Sequence, residues 1–253
     1  MVDAFRLSFG TFTGIKIAPP RRVDAQTFTI ALFLSFLPAF VVSGLAWLAG
    51  YLIFLLVKSS MVAAVTVIGM EILLTSGLHI DGLMDTADGA ASLSKGGRQR
   101  ALEIMKIGNS GPAAFATALI VILLQVATLS TAFIRGQSSI WIVGALLARY
   151  SVVLACRVGG KGAREDGMGI PFIGVVDRFW LALATVVNSV MVVSIVVLDR
   201  SWTPLVALIA VIAVGEVLRR KAEEQFGGLT GDVLGSILEK VRTIALLILV
   251  LKF

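Results

Sequence analysis

FTIALFLSFLPAFVVSGLAWLAG, the run from Phe28 to Gly50, carries no charged side chain, and its reading decides the fold. A helix rising about 1.5 Å per residue over such a run reaches across the roughly 30 Å hydrocarbon core of a bilayer. Working outward, similar runs recur at 59–78, 112–134, 138–156, 175–198, 202–218 and 233–251. The pattern predicts an all-α, polytopic integral membrane protein with about seven transmembrane helices. Composition agrees: 57% of residues are hydrophobic and 15% charged, with a mean hydropathy of +0.95, whereas soluble domains are about a quarter charged. The last run carries Glu239, Lys240 and Arg242 near its start, so its first turns should meet protein or the interface rather than lipid. Ahead of Phe28, residues 1–27 read as a short interfacial segment, with Phe5, Phe9, Phe12 and Ile17 at headgroup level and Pro19-Pro20 ending any helix. The apolar run that follows is too long for a signal peptide. No linker divides the chain, and 1–253 reads as a single membrane domain.

Positive charge gives the orientation. With these spans, alternate connections assign fifteen Lys and Arg to one side and four, Lys58, Arg135, Arg200 and Lys252, to the other. The richer side holds the N-terminus and is cytoplasmic by the positive-inside rule. The formal net charge of +6 is thereby explained by topology and anionic lipid, and nucleic acid is not an expected partner. The single cysteine, Cys156, excludes an intrachain disulfide and a Cys/His zinc cluster. Acids follow the basic side, where Asp81, Asp85, Asp88, Glu103, Glu165, Asp166, Glu223, Glu224 and Asp232 fall, with Asp199 clearly opposite. Positive-inside sorting hardly acts on Asp or Glu, so function is the natural cause of their clustering. Glu71, inside a span, has no assigned role.

The densest acidic segment is SGLHIDGLMDTADG, from Ser76 to Gly89. If it is helical from Asp81 onward, spacings of four and three residues bring Asp81, Asp85 and Asp88 onto one stripe about 60° wide. Such carboxylates repel one another unless a cation sits among them, and hard oxygen donors favour Mg²⁺ or Mn²⁺ held together with substrate phosphates. The plainer alternative is a solvated helix end balanced by Lys95, Arg98 and Arg100. His79, the only histidine, is either a cap at the end of the span or a proton carrier or phosphate donor. The turn Gly227-Gly228-Leu229-Thr230-Gly231-Asp232 has few side chains to obstruct a phosphate, although Thr230 or Asp232 could equally cap the helix that follows. Lys106, Arg149 and Arg164 are candidate anion clamps. Arg149 is the strongest of them because it sits within an apolar span.

SGLHIDGLMDTADG resembles the signature of the cobalamin synthase (adenosylcobinamide-GDP ribazoletransferase) family, close to GGLHLDGLADTADG. Gly77, His79, Asp81, Asp85, Asp88 and Gly89 match. In the family's order, Lys106 with Gly108 and Gly111 resembles a loop MKDxxxGxxG, although Ile107 stands where an aspartate is usual. Ala148-Arg149-Tyr150, the loop from Ala163 to Gly169, and the turn from Gly227 to Gly235 resemble further motifs, and TFTGIKIAPP does so loosely. The resemblance implies transfer of adenosylcobinamide phosphate from adenosylcobinamide-GDP to α-ribazole or its 5′-phosphate, with GMP leaving and Mg²⁺, or Mn²⁺, required. It implies catalytic His79, Asp81, Asp85 and Asp88, and metal ligands Asp81, Asp85, Asp88 and Asp232. Substrate contacts are expected from Lys106, Arg149, Arg164, Gly228, Thr230 and Gly231. The expected partners are the two substrates and the lipid bilayer, with room for a homo-oligomer, in the cell membrane with the active face cytoplasmic. Two other classes fit an acidic stripe. A CDP-alcohol phosphotransferase would show DG followed by AR, absent here after Asp81-Gly82. A cation or solute transporter would hold its acids at the bilayer midplane, whereas these lie at span ends.

Overall fold

The structure is a computed structural model that describes residues 1–251; Lys252 and the side chain of Asp199, both counted above, lie outside the described residues. The chain forms α1 (Val2–Phe12), α2 (Ala25–Leu34), α3 (Phe36–Val57), α4 (Ser60–Leu74), α5 (Leu78–Ile107), α6 (Pro112–Ile134), α7 (Ile140–Ala155), α8 (Arg178–Asp199), α9 (Thr203–Phe226) and α10 (Gly231–Leu249). A 3-10 turn covers Ile170–Phe172. Among the described residues extended structure is limited to isolated bridges, Arg157 with Val176 and Gly162 with Leu229.

The run that decided the fold lies in two helices broken at Ser35. Pro38 is the cause: its ring clashes with the carbonyl four residues back, that of Leu34, where α2 ends. Ala25–Val57, Pro112–Ile134 and Arg178–Leu198 are long and apolar enough to cross a membrane. Their large side chains, among them Phe40, Leu52, Leu56, Phe115, Leu123 and Val190, are exposed, a surface that lipid rather than water would cover. The fourth expected span coincides with α7, which is shorter than those three.

The run 59–78 is not one straight helix. α4 stops at Leu74, Ser76 and Gly77 take positive φ of 52° and 73°, and α5 departs at 88°. Gly77 is suited to this turn because it adopts the left-handed region without steric cost, and its N–H closes on the Ile72 carbonyl at 2.8 Å. The N-terminal segment seals the corner, with the Gly14 N–H donating to the Leu74 carbonyl at 2.7 Å. Helix α5 therefore starts at Leu78, earlier than Asp81, and leaves the axis of α4. Its charges, from Asp81 to Lys106, keep it out of the apolar spans.

Helix α10 occupies the centre, packed against α5, α6, α7 and α9. Glu239 and Arg242 are buried against protein, as their place in an apolar run required. Where α10 meets α5, a Cβ on Gly82 would lie 2.8 Å from the Asp232 carbonyl oxygen, and one on Gly235 would lie 3.2 Å from that of His79. Small residues on both sides let the two backbones approach, bringing the acidic stripe and the Thr-Gly-Asp turn to one place.

Candidate active site

At the α5–α10 junction lies a cavity of about 330 Å³ edged by His79, Asp81, Arg149, Arg164, Gly231 and Asp232, with Phe12, Leu32 and Phe172 in its apolar wall. A more open space of about 510 Å³ adjoins it and shares Thr11, Leu78, Asp81, Met168 and Phe172. Asp81 thus faces both.

Arg149 is only 3% exposed. Its guanidinium lies 4.6 Å from the Phe12 ring centre, and its Nη2 is 3.3 Å from His79 Nε2. A guanidinium only donates, so His79 Nε2 accepts and the neutral ring carries its proton on Nδ1. This engages Nε2 with the Arg149 guanidinium. Among the described residues the Nε of Arg149 has no hydrogen-bond partner although buried, and neither does Nη1 of Arg164. Arg164 also pairs with Asp232 at 3.0 Å and donates from Nε to the Asp166 carbonyl. Two cornered cations with unsatisfied donors suit an anionic ligand.

The carboxylates divide. Asp81 and Asp232 edge the cavity, whereas Asp88 is committed elsewhere, accepting from the Gly111 N–H and from the Ala114 N–H at 2.9 Å, so that it caps α6. Burial, and then the charges of Asp81, Asp232 and Asp88, push the Asp85 carboxyl up to about 7. Burial also raises Asp232 from the usual carboxylate range, against the pull of Arg164. Among the described residues no three His, Cys, Asp or Glu side chains converge as a metal-ligand set. The charges of Asp81, Asp232 and Asp88 that add to burial in lifting Asp85 are what a hard cation would relieve, and Asp81, Asp85 and Asp232 are the carboxylates not taken up as a helix cap, whereas Asp88 is.

Three expected substrate contacts lie elsewhere. Lys106 pairs with Asp166 at 2.7 Å on the surface and is not in the cavity wall. Thr230 is fully buried and caps α10, accepting from the Val233 N–H at 3.1 Å. Gly228 packs on backbone, where a Cβ would meet the Lys161 carbonyl oxygen at 2.5 Å. Its neighbour Leu229 exchanges hydrogen bonds with the same loop, accepting from Ala163 and donating to Lys161. Gly228 docks this turn onto the 161–163 loop, and Gly231 reaches the cavity. Ile107, at the aspartate position of the family pattern, is 57% exposed and makes no part of this wall.

Sequence reasoning left Glu71 without a partner. Arg242 Nη2 lies 2.5 Å from Glu71 Oε1, Trp141 Nε1 donates to Glu71 Oε2 at 2.6 Å, and Gln125 Nε2 donates to Glu239 Oε2 at 3.0 Å. This network joins α4, α6, α7 and α10 next to His79. The available signal was that Glu71, Gln125, Glu239 and Arg242 all interrupt apolar runs.

The fold and the site define the class: an all-helical protein with several helices apolar enough for a bilayer, carrying a cavity lined by aspartates and arginines. The family model for cobalamin-5-phosphate synthase matches residues 4–250, and the chain belongs to that family. It is 34% identical to a protein from Frankia casuarinae, over 98% of this chain and 94% of the relative. It is 31% identical to one from Nocardioides sp., over 94% of each, and 28% identical to one from Clostridium botulinum, over 99% and 98%. All three are named adenosylcobinamide-GDP ribazoletransferase. No solved structure matches.

Proposed function

We propose that this chain is an adenosylcobinamide-GDP ribazoletransferase and that the α5–α10 cavity is where it works. The phosphate attached to adenosylcobinamide passes to a ribose hydroxyl of α-ribazole or its 5′-phosphate. The bond from that phosphorus to the oxygen of GMP breaks, a new P–O bond forms, and the hydroxyl proton is taken up. The observation carrying this reading is the meeting of Asp81, Arg149, Arg164 and Asp232 around one cavity, each drawn from a different one of four motifs that resemble the family. Transfer of this kind is chiefly a matter of positioning and of neutralising charge. Arg149 and Arg164, with unsatisfied N–H groups, hold the diphosphate, and His79 fixes Arg149. Asp81, facing both spaces, receives the proton of the attacking alcohol. The two adjoining spaces suit two substrates, the corrin projecting outward because it is too large for either.

Mg²⁺, or Mn²⁺ in its place, is part of this proposal, with Asp81, Asp85 and Asp232 as its holders. When bound, the ion offsets the charge of the diphosphate and of departing GMP. Protons compete for the same oxygens. Because Asp85 is raised to about 7 without metal, affinity is at its full value above that pH and falls about tenfold per unit below it. Mn²⁺ titration followed by paramagnetic resonance at pH 8 and pH 6 checks this; equal affinity at both contradicts it.

The charge asymmetry supports seven crossings with a cytoplasmic N-terminus in the cell membrane, and on that topology the cavity opens to the cytoplasm. Site and substrate are tested together by a binding titration of adenosylcobinamide-GDP, followed through corrin absorbance. Arg149→Leu should weaken binding about tenfold or more through lost charge-assisted bonds. Unchanged affinity in a folded variant would overturn the assignment.

A further inference from the structure

Behind the carboxylate cavity, on the opposite face of α10, lies a second cavity of about 270 Å³ between α5, α6, α9 and α10. Val233, Ser236, Ile237 and Lys240 of α10 face it, whereas Gly231, Leu234, Gly235 and Leu238 face the first. At about 100° per residue these two sets lie half a turn apart. The second cavity is lined by two cations, Lys221 and Lys240, and by no acid. Among the described residues neither lysine forms an ion pair, while Arg157, Arg219, Arg220 and Arg242 all do.

Thr86 supplies an independent observation. It lines the cavity, is 8% exposed, and its Oγ1 is buried without any hydrogen-bond partner. Other helical threonines, Thr66, Thr75, Thr128, Thr131 and Thr243, donate to the carbonyl four residues back. Thr86 lacks that bond, and its hydroxyl is buried without a partner in the wall of the cavity. A buried hydroxyl without a partner, beside a half-buried lysine without a counter-charge, is costly unless a ligand supplies the missing acceptor.

We infer that this cavity binds a phosphate-bearing anion, held by Lys221 and Lys240 and by the hydroxyl of Thr86. Lysine meets phosphate as a point charge, and the hydroxyl adds a directed bond. The same chemistry is offered by the headgroup of an anionic phospholipid and by a water-soluble phosphate ester. The inference does not rest on the reading of the carboxylate cavity.

The test uses full-length protein in neutral detergent and reads its thermal midpoint against inorganic phosphate, and separately against phosphatidylglycerol with phosphatidylcholine as the uncharged comparison. The midpoint should rise with the anion in wild type. The half-saturating concentration should increase about tenfold or more in Lys240→Met, with a smaller increase in Thr86→Val, and be unchanged when exposed Lys95, which lines neither cavity, is replaced in Lys95→Gln. Without anion, Lys240→Met should melt at or above wild type, because an unpartnered cation has been removed. A rise with inorganic phosphate assigns the soluble ester, and a rise confined to phosphatidylglycerol assigns the lipid. Three results overturn the inference: no rise with either anion, a rise equal in wild type, Lys240→Met and Thr86→Val, or a rise weakened as much in Lys95→Gln as in Lys240→Met.

Discussion

Asp81→Asn is expected to cut GMP release about a thousandfold while leaving the protein folded in detergent. Asp81 edges both adjoining spaces and, among the described residues, accepts no hydrogen bond from a distant helix, unlike Asp88, so its loss should not remove a structural tie. Asparagine keeps the shape, but it binds a hard cation weakly and does not take up the proton of the attacking alcohol. Asp88→Asn should behave differently. Its oxygens cap α6, and the loss should appear first as lower thermal stability. Parallel initial-rate and melting measurements on the two variants separate the roles. A folded Asp81→Asn protein that turns over within tenfold of wild type would contradict the assignment.

The second large effect concerns stability. Glu71→Leu alone should lower the unfolding free energy by about 3–5 kcal/mol, because it strands a buried guanidinium. Arg242 would keep only its distant neighbour Glu239, at 3.9 Å, and the Trp141 N–H would lose its acceptor. Adding Arg242→Met in the same chain should restore a large part of the loss, since removing both charges spares the cost of burying one alone. Denaturant titration in detergent measures both. A single variant as stable as wild type would show that the ion pair is dispensable.

How far the sequence reached can be judged from these residues. Long apolar runs announce a helical membrane protein because composition alone sets the solvent, and the three longest survive as helices of spanning length. The stripe of Asp81, Asp85 and Asp88 was legible from spacing because α5 is helical through all three. What the spacing did not contain is the 88° corner ahead of it, which depends on two consecutive positive-φ residues and on docking by Gly14. Nor did it contain the division of labour among the acids. One stripe serves two neighbours, and the engagement of Asp88 depends on amides more than twenty residues away. Thr230 and Gly228 illustrate the reverse case. A Gly-Gly-x-Thr-Gly-Asp turn reads equally as a phosphate cradle or as a cap with a tight backbone contact, and only the packing of the 161–163 loop distinguishes them. The network around Glu71 was visible only as scattered polar residues in apolar runs, because its partners come from four helices.

The central claim is that one cavity binds the diphosphate substrate and hands its phosphate to an alcohol. The most direct measurement supplies purified protein in liposomes with adenosylcobinamide-GDP, α-ribazole 5′-phosphate and Mg²⁺, and follows GMP and the joined corrinoid product together. The two should appear in equal amounts, and both should depend on the ribazole. GMP formed without the joined product, or folded protein that forms neither, would contradict it.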